Sequence, residues 1–153
     1  MTSIKPCLWF DDRIDEAIEF YTKTFKRAKI TNINRPAPGK PAFTAEFELE
    51  GQKFMALNGG PQFTFNEAVS FFVTCADQDE VDYFWNALTA NGGAESQCGW
   101  LKDKFGLSWQ IVPRQLFETI GGPDAAGAQR AMQAMLKMHR LIVADLQKAY
   151  AGS

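Results

Sequence analysis

Apolar and polar residues alternate along much of this chain in short runs that are typical of β-strands. Such runs cover Ile4 to Phe10, Ile30 to Ile33, Phe43 to Leu49, Lys53 to Leu57 and Val69 to Cys75. A further run, Leu107 to Val112, stops at Pro113, because proline has no backbone N–H to continue a ladder. The pattern therefore predicts a chain that is rich in short strands.

Two segments between these runs carry apolar residues at helical spacing instead. The first opens at Asp11-Asp12 and continues through Ala17, Phe20, Tyr21, Thr24 and Phe25. The second is capped by Asp77 to Glu80, carries Val81, Phe84, Trp85 and Leu88, and ends at Asn91-Gly92-Gly93. Both segments are therefore predicted helices, each placed after a strand.

The order of these elements repeats along the chain. Asp15-Glu16-Ala17 before Phe20-Tyr21 resembles Asp79-Glu80-Val81 before Phe84-Trp85, and Gly51-x-x-Phe54 resembles Gly106-x-x-Trp109. A loop at Pro36 to Pro41 and a tight turn at Glu50-Gly51 separate strands of the first copy. We predict an α+β fold of two βαβββ modules, residues about 4–58 and about 69–113, with C-terminal helices at about 114–150 in a single domain 1–153.

The C-terminal helical segment carries one apolar stripe. Its members are Met132, Met135, His139, Ile142, Leu146 and Ala149. An amphipathic helix has little stability alone, so the stripe is expected to be buried against the domain or against a second copy of the chain. The pattern leaves one helix or two open, because Lys137 to Arg140 could hold a bend.

The stretch Glu95 to Pro113 organises the second module. Lys102 to Lys104 is predicted to form a polar tip, with a turn at Phe105-Gly106. Side chains of a strand alternate between its two faces. We predict that Cys7, Trp9, Phe54, Ala56, Phe71, Val73, Trp109 and Ile111 face the helices, and that Leu8, Phe10, Met55, Phe72, Gln110 and Val112 face a cupped surface.

The composition narrows the classes of function. The 153 residues are 46% hydrophobic and 22% charged, which is enough for one core, and the aromatic content of 13% suits a core, a ligand cavity or a subunit interface. The net charge of −2 gives no basic field for a nucleic acid, so we expect no nucleic-acid partner. No apolar run approaches the ~20 residues that cross a bilayer, so we expect a cytoplasmic protein without a membrane partner. Cys7, Cys75 and Cys98 are expected to be free, buried thiols.

Five segments, in this order, resemble the PhnB-like group of the glyoxalase/bleomycin-resistance/dioxygenase (vicinal oxygen chelate) superfamily. They read PCLWFDDRIDEAIEFY, FELEGQKFMALNGG, NEAVSFFVTCAD, SQCGWLKDKFGLSWQIVP and AMQAMLKM. The group often carries the label 3-demethylubiquinone-9 3-methyltransferase domain. The resemblance implies two βαβββ modules that form a cupped mixed sheet around a pocket, usually in a homodimer, which agrees with the repeat.

Enzymes of the superfamily hold a divalent metal with His, Glu or Gln side chains from the first and last strands of each module. The resemblance places Pro6, Met55, Ser70 and Gln110 at those positions. Only Gln110 is a plausible ligand there and Ser70 is a weak one, whereas a transition metal needs three or more N, S or carboxylate ligands. We therefore predict neither the superfamily metal site nor another cofactor.

The leading hypothesis is a small-molecule-binding protein with an aromatic-lined cup. The predicted ligand-binding residues are Gln110, Ser70, Met55, Phe72, Glu46 and Trp100. Two alternatives stay open: a metal-dependent lyase or dioxygenase-like enzyme that uses Gln110, a glutamate and water, and a pure interaction module. Gly59-Gly60 and Gly92-Gly93 do not form the glycine-rich loop that a methyl donor usually requires, so we do not predict methyl transfer. Whether the chain is an enzyme stays open.

Three further groups of residues could carry chemistry. Glu46 and Glu48 share a strand face, where either could act as a general base or simply face solvent. Gln97, Cys98 and Trp100 are predicted to lie on a loop near the mouth of the cup. The sequence gives Cys98 no cation or imidazole to lower its pKa. His139 could reach such a site only if the C-terminal segment folded over it.

Overall fold

Two runs of the same βαβββ order account for all of the strands. The computed structural model describes residues Met1–Ser153, which divide into unit 1, Met1–Phe65, and unit 2, Asn66–Ser153. Unit 1 contains β1 (Cys7–Phe10), α1 (Ile14–Thr24), β2 (Ala28–Asn34), β3 (Thr44–Leu49) and β4 (Gln52–Asn58). Unit 2 contains β5 (Ser70–Cys75), α2 (Gln78–Thr89), β6 (Ala94–Glu95), β7 (Trp100–Lys102) and β8 (Ser108–Pro113), followed by α3 (Gln115–Ile120), α4 (Ala125–Met135) and α5 (Val143–Ala151).

The two four-stranded sheets have the same topology, β1-β4-β3-β2 and β5-β8-β7-β6. In each sheet the first strand pairs in parallel with the last strand, and the other pairs are antiparallel. A parallel pair cannot be closed by a hairpin, so α1 and α2 begin the connections that bring the chain back. The predicted α+β class and its twofold βαβββ repeat are confirmed.

The core of unit 1 lies between α1 and one face of its sheet. Ile14, Ala17, Ile18 and Tyr21 of α1 are buried there. The ring of Tyr21 stacks on Phe47 at a centroid distance of 6.2 Å, and Phe47 stacks on Phe54 at 5.2 Å. The β3–β4 hairpin turns at Glu50-Gly51 with positive φ angles at both residues, as the sequence predicted for a tight turn.

The core of unit 2 is the matching layer beneath α2. Val81, Phe84, Trp85 and Leu88 are the buried residues of this helix. Asp77 caps its N-terminus by accepting a hydrogen bond from the backbone N–H of Glu80 at 2.9 Å. On β8 the side chains of Trp109 and Ile111 are buried, as predicted. The strand face opposite to theirs is therefore the face that can carry a site.

The predicted faces of β1 are wrong. Leu8 and Phe10 are buried, whereas Cys7 is exposed and Trp9 is half-buried. Leu8 lies directly across from the buried Ala56, so it shares the helix side of the sheet. A continuous apolar run has no alternation to set its phase, which is why the predicted faces of β1 are shifted by one residue.

The C-terminal segment forms two long helices rather than one, and it packs on its own unit. Residues Val112, Leu116, Leu141 and Leu146 form a buried cluster, with Ile120, Met135 and Met138 against it. The predicted stripe is wrong at Met132 and His139, which are exposed, while Gly127 and Ala131 are the buried residues of α4. The first of these helices, α4, ends at Met135, and α5 begins only at Val143. The predicted stripe assumed one continuous helical spacing across this break, which is why it is partly wrong.

The cysteines differ in burial, which corrects the expectation of three buried thiols. Cys7 is exposed, Cys98 is half-buried, and only Cys75 is buried. Burial, with the negative charges of Glu80 and Asp77, raises the pKa of Cys75 to about 12. Cys75 is therefore an inert thiol near neutral pH. None of the helices combines the length and apolar character needed to cross a membrane.

Candidate ligand-binding site

Gln110 lies in the middle of an outward-facing row across the sheet of unit 2. It is directly opposite Phe72 on β5 and directly opposite Trp100 on β7. Neighbouring strands are about 4.8 Å apart, and residues opposite each other point to the same face. The structure therefore brings together three of the predicted site residues as one row, aromatic–amide–aromatic, which we call the Gln110 row.

The amide of Gln110 is held by Ser70, the fourth predicted residue of this unit. Its Nε2 donates a hydrogen bond to Ser70 Oγ at 2.9 Å. This is the amide's single hydrogen bond within the protein, so Oε1 and the second N–H are unpaired. Gln110 is half-buried, which leaves these atoms accessible from the open side of the sheet.

The two aromatic side chains of the row are also accessible. Phe72 is 49% exposed, and its ring lies 6.1 Å from that of Phe117 on α3. Trp100 is half-buried at the start of β7. Half-exposed aromatic rings beside an unpaired amide are an arrangement that can contact a small organic molecule.

A second row, Ser70–Ser108–Lys102, lies next to the Gln110 row. Ser108 is 1% exposed, and its Oγ has no hydrogen-bond partner. Lys102 forms an ion pair with Glu67. It is the one charged residue on this face of the four strands, so its pairing leaves the face without a free cation.

The side of the Gln110 row opposite Ser108 is covered by the C-terminal segment. Val112 points to the same face as Gln110, as predicted, but the cluster of Leu116, Leu141 and Leu146 buries it. The sequence identified the stripe of apolar residues in this segment without showing which strand it covers.

The segment also holds the loop that leads into Trp100. Backbone N–H groups of Cys98 and Gly99 donate to the carbonyl oxygens of Met138 and His139, each at 2.8 Å. His139 Nδ1 lies 2.9 Å from the carbonyl oxygen of Ser96, which can only accept, so Nδ1 carries the proton. No hydrogen bond joins the Cys98 thiol to this imidazole, so the contact is structural rather than a nucleophile–base pair.

A buried carboxylate sets the geometry of the β7–β8 hairpin. Asp103 is 2% exposed, which overturns its place in a predicted polar tip. Its Oδ1 accepts from the backbone N–H of Phe105 at 2.9 Å and of Leu107 at 3.1 Å, and its Oδ2 accepts from Trp109 Nε1 at 2.9 Å. Asp103 thereby fixes both the turn and the side chain of Trp109. Because Gln110 follows Trp109 on β8, these bonds also set the face on which Gln110 lies.

The remaining two predicted site residues, Glu46 and Met55, belong to unit 1. They lie directly opposite each other on β3 and β4, on the sheet face away from α1. Glu46 forms an ion pair with Lys5 at 3.1 Å, and Glu48 forms one with Lys29 at 3.5 Å. Both glutamates thus lie on a partly solvated face and form ion pairs with lysines. This arrangement favours solvent-facing glutamates over a general base.

Unit 1 also contains an open cleft that the sequence did not indicate. It has a volume of about 420 Å³ and lies at the start of α1, beside the loop that precedes β3. Its charged walls largely pair with each other, through Arg35 with Asp15 and Arg13 with Glu16. The Arg35–Asp15 pair fastens the loop to α1, whereas the Arg13–Glu16 pair lies within the first turn of the helix.

The positions that the superfamily uses for a metal do not fit one in this chain. The side chain of Pro6 has no ligating atom, Met55 offers a thioether and Ser70 a hydroxyl. The amide oxygen of Gln110 is therefore the single suitable ligand at these positions. Nowhere in the chain do three or more His, Cys, Asp or Glu side chains group as metal ligands. The donor set therefore disagrees with the superfamily metal site.

Two repeated βαβββ units with equal sheet topology define a protein of the glyoxalase/bleomycin-resistance fold. A glyoxalase/bleomycin resistance protein from Albidiferax ferrireducens T118 shares this fold, with a TM-score of 0.51 and 15% identity over 72% of this chain and 96% of that one. A protein of Pseudomonas aeruginosa is similar too, with a TM-score of 0.60 and 20% identity over 74% and 98% of the two chains.

The family follows from the sequence match. Residues 2–112 match the family model described as 3-demethylubiquinone-9 3-methyltransferase. The PhnB protein of Bacillus cereus is 34% identical over 73% of this chain and 99% of that one, with a TM-score of 0.66. The chain belongs to this PhnB-like 3-demethylubiquinone-9 3-methyltransferase family. A comparison with curated proteins found no match.

Proposed function

We propose that this chain binds an uncharged small molecule on the Gln110 row, without the metal of its superfamily. The observation that carries the proposal is the amide of Gln110, which has one protein hydrogen bond and stands between two accessible aromatic side chains. Ser70 orients that amide, so its unpaired atoms are presented in a defined direction. A ligand would gain hydrogen bonds from Gln110 and apolar contact from Phe72 and Trp100.

The energetics favour a ligand that has both apolar and polar parts. Burying a half-exposed aromatic ring contributes roughly 25 cal/mol for each Å² of apolar surface removed from water. Burying the Gln110 amide at the same time costs free energy unless its unpaired atoms find partners. The row therefore selects ligands that supply those partners. Glu46 and Met55, which lie opposite each other in unit 1, are proposed as ligand contacts in their own right, and ligand capture by Glu46→Gln and Met55→Ala tests them.

Methyl transfer, which the family name suggests, is not the activity that we infer. Gly59-Gly60 follows β4 but leads into a loop rather than a helix, and Gly92-Gly93 follows α2 rather than a strand. A glycine-rich loop that binds a cofactor lies between the end of a strand and the N-terminus of a helix, and neither glycine pair has that position. A Cβ at Gly59 would come 2.4 Å from the Trp9 ring, so this glycine permits close packing instead.

The proposal is tested with Gln110→Leu. The leucine leaves ligand donors or acceptors unpaired, which should weaken binding by about 1–3 kcal/mol, or roughly 10- to 100-fold, while folding changes little. Native mass spectrometry of parent and variant measures the small molecules that are retained or added, and thermal unfolding measures stability. Gln129→Leu on the exposed face of α4 is the matched control, and it should leave ligand capture unchanged.

Two outcomes would contradict the proposal. A Gln110→Leu variant that is destabilised but captures ligand as well as the parent would make Gln110 a structural residue. Stoichiometric zinc, nickel, manganese or iron held through Gln110 in protein purified without chelator would favour the metal-dependent lyase or dioxygenase-like alternative instead.

A further inference from the structure

We infer that the Gln110 row selects flat, uncharged molecules that carry an amide group, as in a ring carboxamide or a lactam. The inference rests on the proposed function and adds the chemical class of the ligand. Three features of unit 2 carry it: the unpaired atoms of the Gln110 amide, the spacing of its aromatic neighbours, and the charge of the surrounding sheet face.

The unpaired atoms of Gln110 form a mixed pair. One N–H donates to Ser70, so the other N–H and Oε1 remain, one donor and one acceptor on the same planar group. A ligand amide carries the complementary pair, a C=O and an N–H side by side. A carboxylate offers acceptors alone, and an ester lacks the donor, so each leaves Oε1 unpaired when it is buried.

The aromatic neighbours select the shape. Phe72 and Trp100 are each one strand away from Gln110, so they stand roughly 10 Å apart across the row. A flat molecule whose edge meets Gln110 can turn its faces toward these rings. Phe117, whose ring lies 6.1 Å from Phe72, backs one side of the row. Offset or edge-to-face contacts with a planar ring are the arrangements that aromatic side chains favour.

The charge of the face argues against an anionic ligand. Lys102, in the neighbouring row, is engaged by Glu67. Ser70 and Ser108 complete that row and are neutral. A carboxylate or phosphate placed at Gln110 would lose its hydration without meeting a free cation, and a buried unpaired charge costs more than a buried amide.

The experiment compares three probes of one ring size: benzamide, methyl benzoate and the benzoate ion. Protein-observed NMR follows the side-chain amide of Gln110 and the indole N–H of Trp100, assigned by their loss in Gln110→Leu and Trp100→Phe. Benzamide should shift both signals and bind at least about tenfold more tightly than the ester or the ion. Gln110→Leu should remove that preference.

A second variant serves if the leucine variant does not fold. Gln110→Met keeps the length of the side chain but has neither the N–H groups nor the amide oxygen, so benzamide should again lose its advantage, and Gln129→Met on α4 should not change it. Three results would each overturn the inference that the row selects ligands with an amide group. They are equal affinities for the three probes, a preference for benzoate, and no shift with any probe at millimolar concentration. The proposed function fails separately, when the molecules that the parent retains are retained equally by Gln110→Leu.

Discussion

Asp103 is the residue on which the β7–β8 hairpin depends most. Asp103→Ala removes the acceptor for two backbone N–H groups and for Trp109 Nε1. Hydrogen bonds to a charged group contribute about 1.5–3 kcal/mol each, and buried donors left unpaired add their desolvation cost. We therefore expect a loss of several kcal/mol in the free energy of unfolding, measured by chemical denaturation.

Asp103→Asn separates the contribution of the two backbone hydrogen bonds from that of the bond to the Trp109 indole. The asparagine oxygen can still accept from Phe105 and Leu107, but its NH₂ group meets the indole N–H of Trp109, so we expect a loss of about 1–3 kcal/mol, smaller than for alanine. Asp12→Asn, at an exposed aspartate, is the control and should change little. An alanine variant as stable as the parent would show that these bonds do not hold the hairpin.

Ser108 gives the opposite prediction. Its hydroxyl is buried without a partner, so the folded state carries the cost of desolvating it. Ser108→Ala removes that cost and should leave the free energy of unfolding unchanged or raise it by up to about 1 kcal/mol. Thermal and chemical unfolding measure this, with Ser70→Ala as the comparison, because Ser70 accepts a hydrogen bond. A clear destabilisation by Ser108→Ala would mean that the hydroxyl has a partner in solution.

The sequence predicted some of these residues for the right reason and others for the wrong one. The face of β8 that carries Gln110 was predicted correctly because alternation sets the phase of a strand that mixes polar and apolar residues. Asp103 was placed at an exposed tip because it stands between Lys102 and Lys104, and a sequence does not show that three N–H donors converge on one carboxylate. Local pattern reveals the face of a side chain, whereas its hydrogen-bond partners depend on the path of the chain.

At the scale of elements, strand boundaries were predicted well where turn residues frame them. Glu50-Gly51 fixed the β3–β4 hairpin, and Pro113 fixed the end of β8. The phase of β1 was missed because all four of its residues are apolar. The partner of the C-terminal helices was missed because an apolar stripe indicates burial without naming the surface that covers it.

The loop before β3 is fastened to α1 by Asp15, and this contact should depend on pH. Asp15 Oδ1 accepts from Arg35 at 2.5 Å, and Oδ2 accepts from the backbone N–H of Ala42 at 2.9 Å. The hydrogen bond from Arg35 is the main cause that lowers the pKa of Asp15 below its ordinary value of 3.8, and the bond from Ala42 adds to it. A lowered folded-state pKa means that the stabilisation is present above the unfolded pKa and is lost as the pH falls through the folded one.

Asp15→Asn should therefore reduce the free energy of unfolding at neutral pH by about 0.5–1 kcal/mol, the scale of a partly exposed ion pair. The difference between variant and parent should shrink toward zero below about pH 4, in urea unfolding curves taken across the acid range. Glu19→Gln, which removes the more exposed pair with Lys23, is the control on the same helix and should cost a few tenths of a kcal/mol. A difference that stays constant down to low pH would contradict the ionic origin.

At the scale of the whole molecule, the repeat was the most reliable signal in the sequence. It predicted two units of equal topology, because two copies of one pattern constrain each other even where single boundaries are uncertain. The alignment of the two copies placed Ser70 and Gln110 on the first and last strands of the second copy, and these strands, β5 and β8, pair in the structure. Trp100 was predicted to lie on a loop, but it begins β7 directly opposite Gln110. Glu46 and Met55 lie in the other unit.

We propose that the chain forms a homodimer with twofold symmetry, which is the commonest arrangement of identical chains. Phe43 and Phe63 of unit 1 are 61% and 62% exposed, and such rings are stabilised when a partner surface removes them from water. Light scattering at tens of micromolar should give twice the 17.1 kDa of one chain. Phe43→Ser should weaken association by about tenfold or more. Thr64, which is exposed and follows Phe63 in the sequence, provides the control, because Thr64→Ser should leave association unchanged. A parent protein that remains monomeric at these concentrations would refute the dimer.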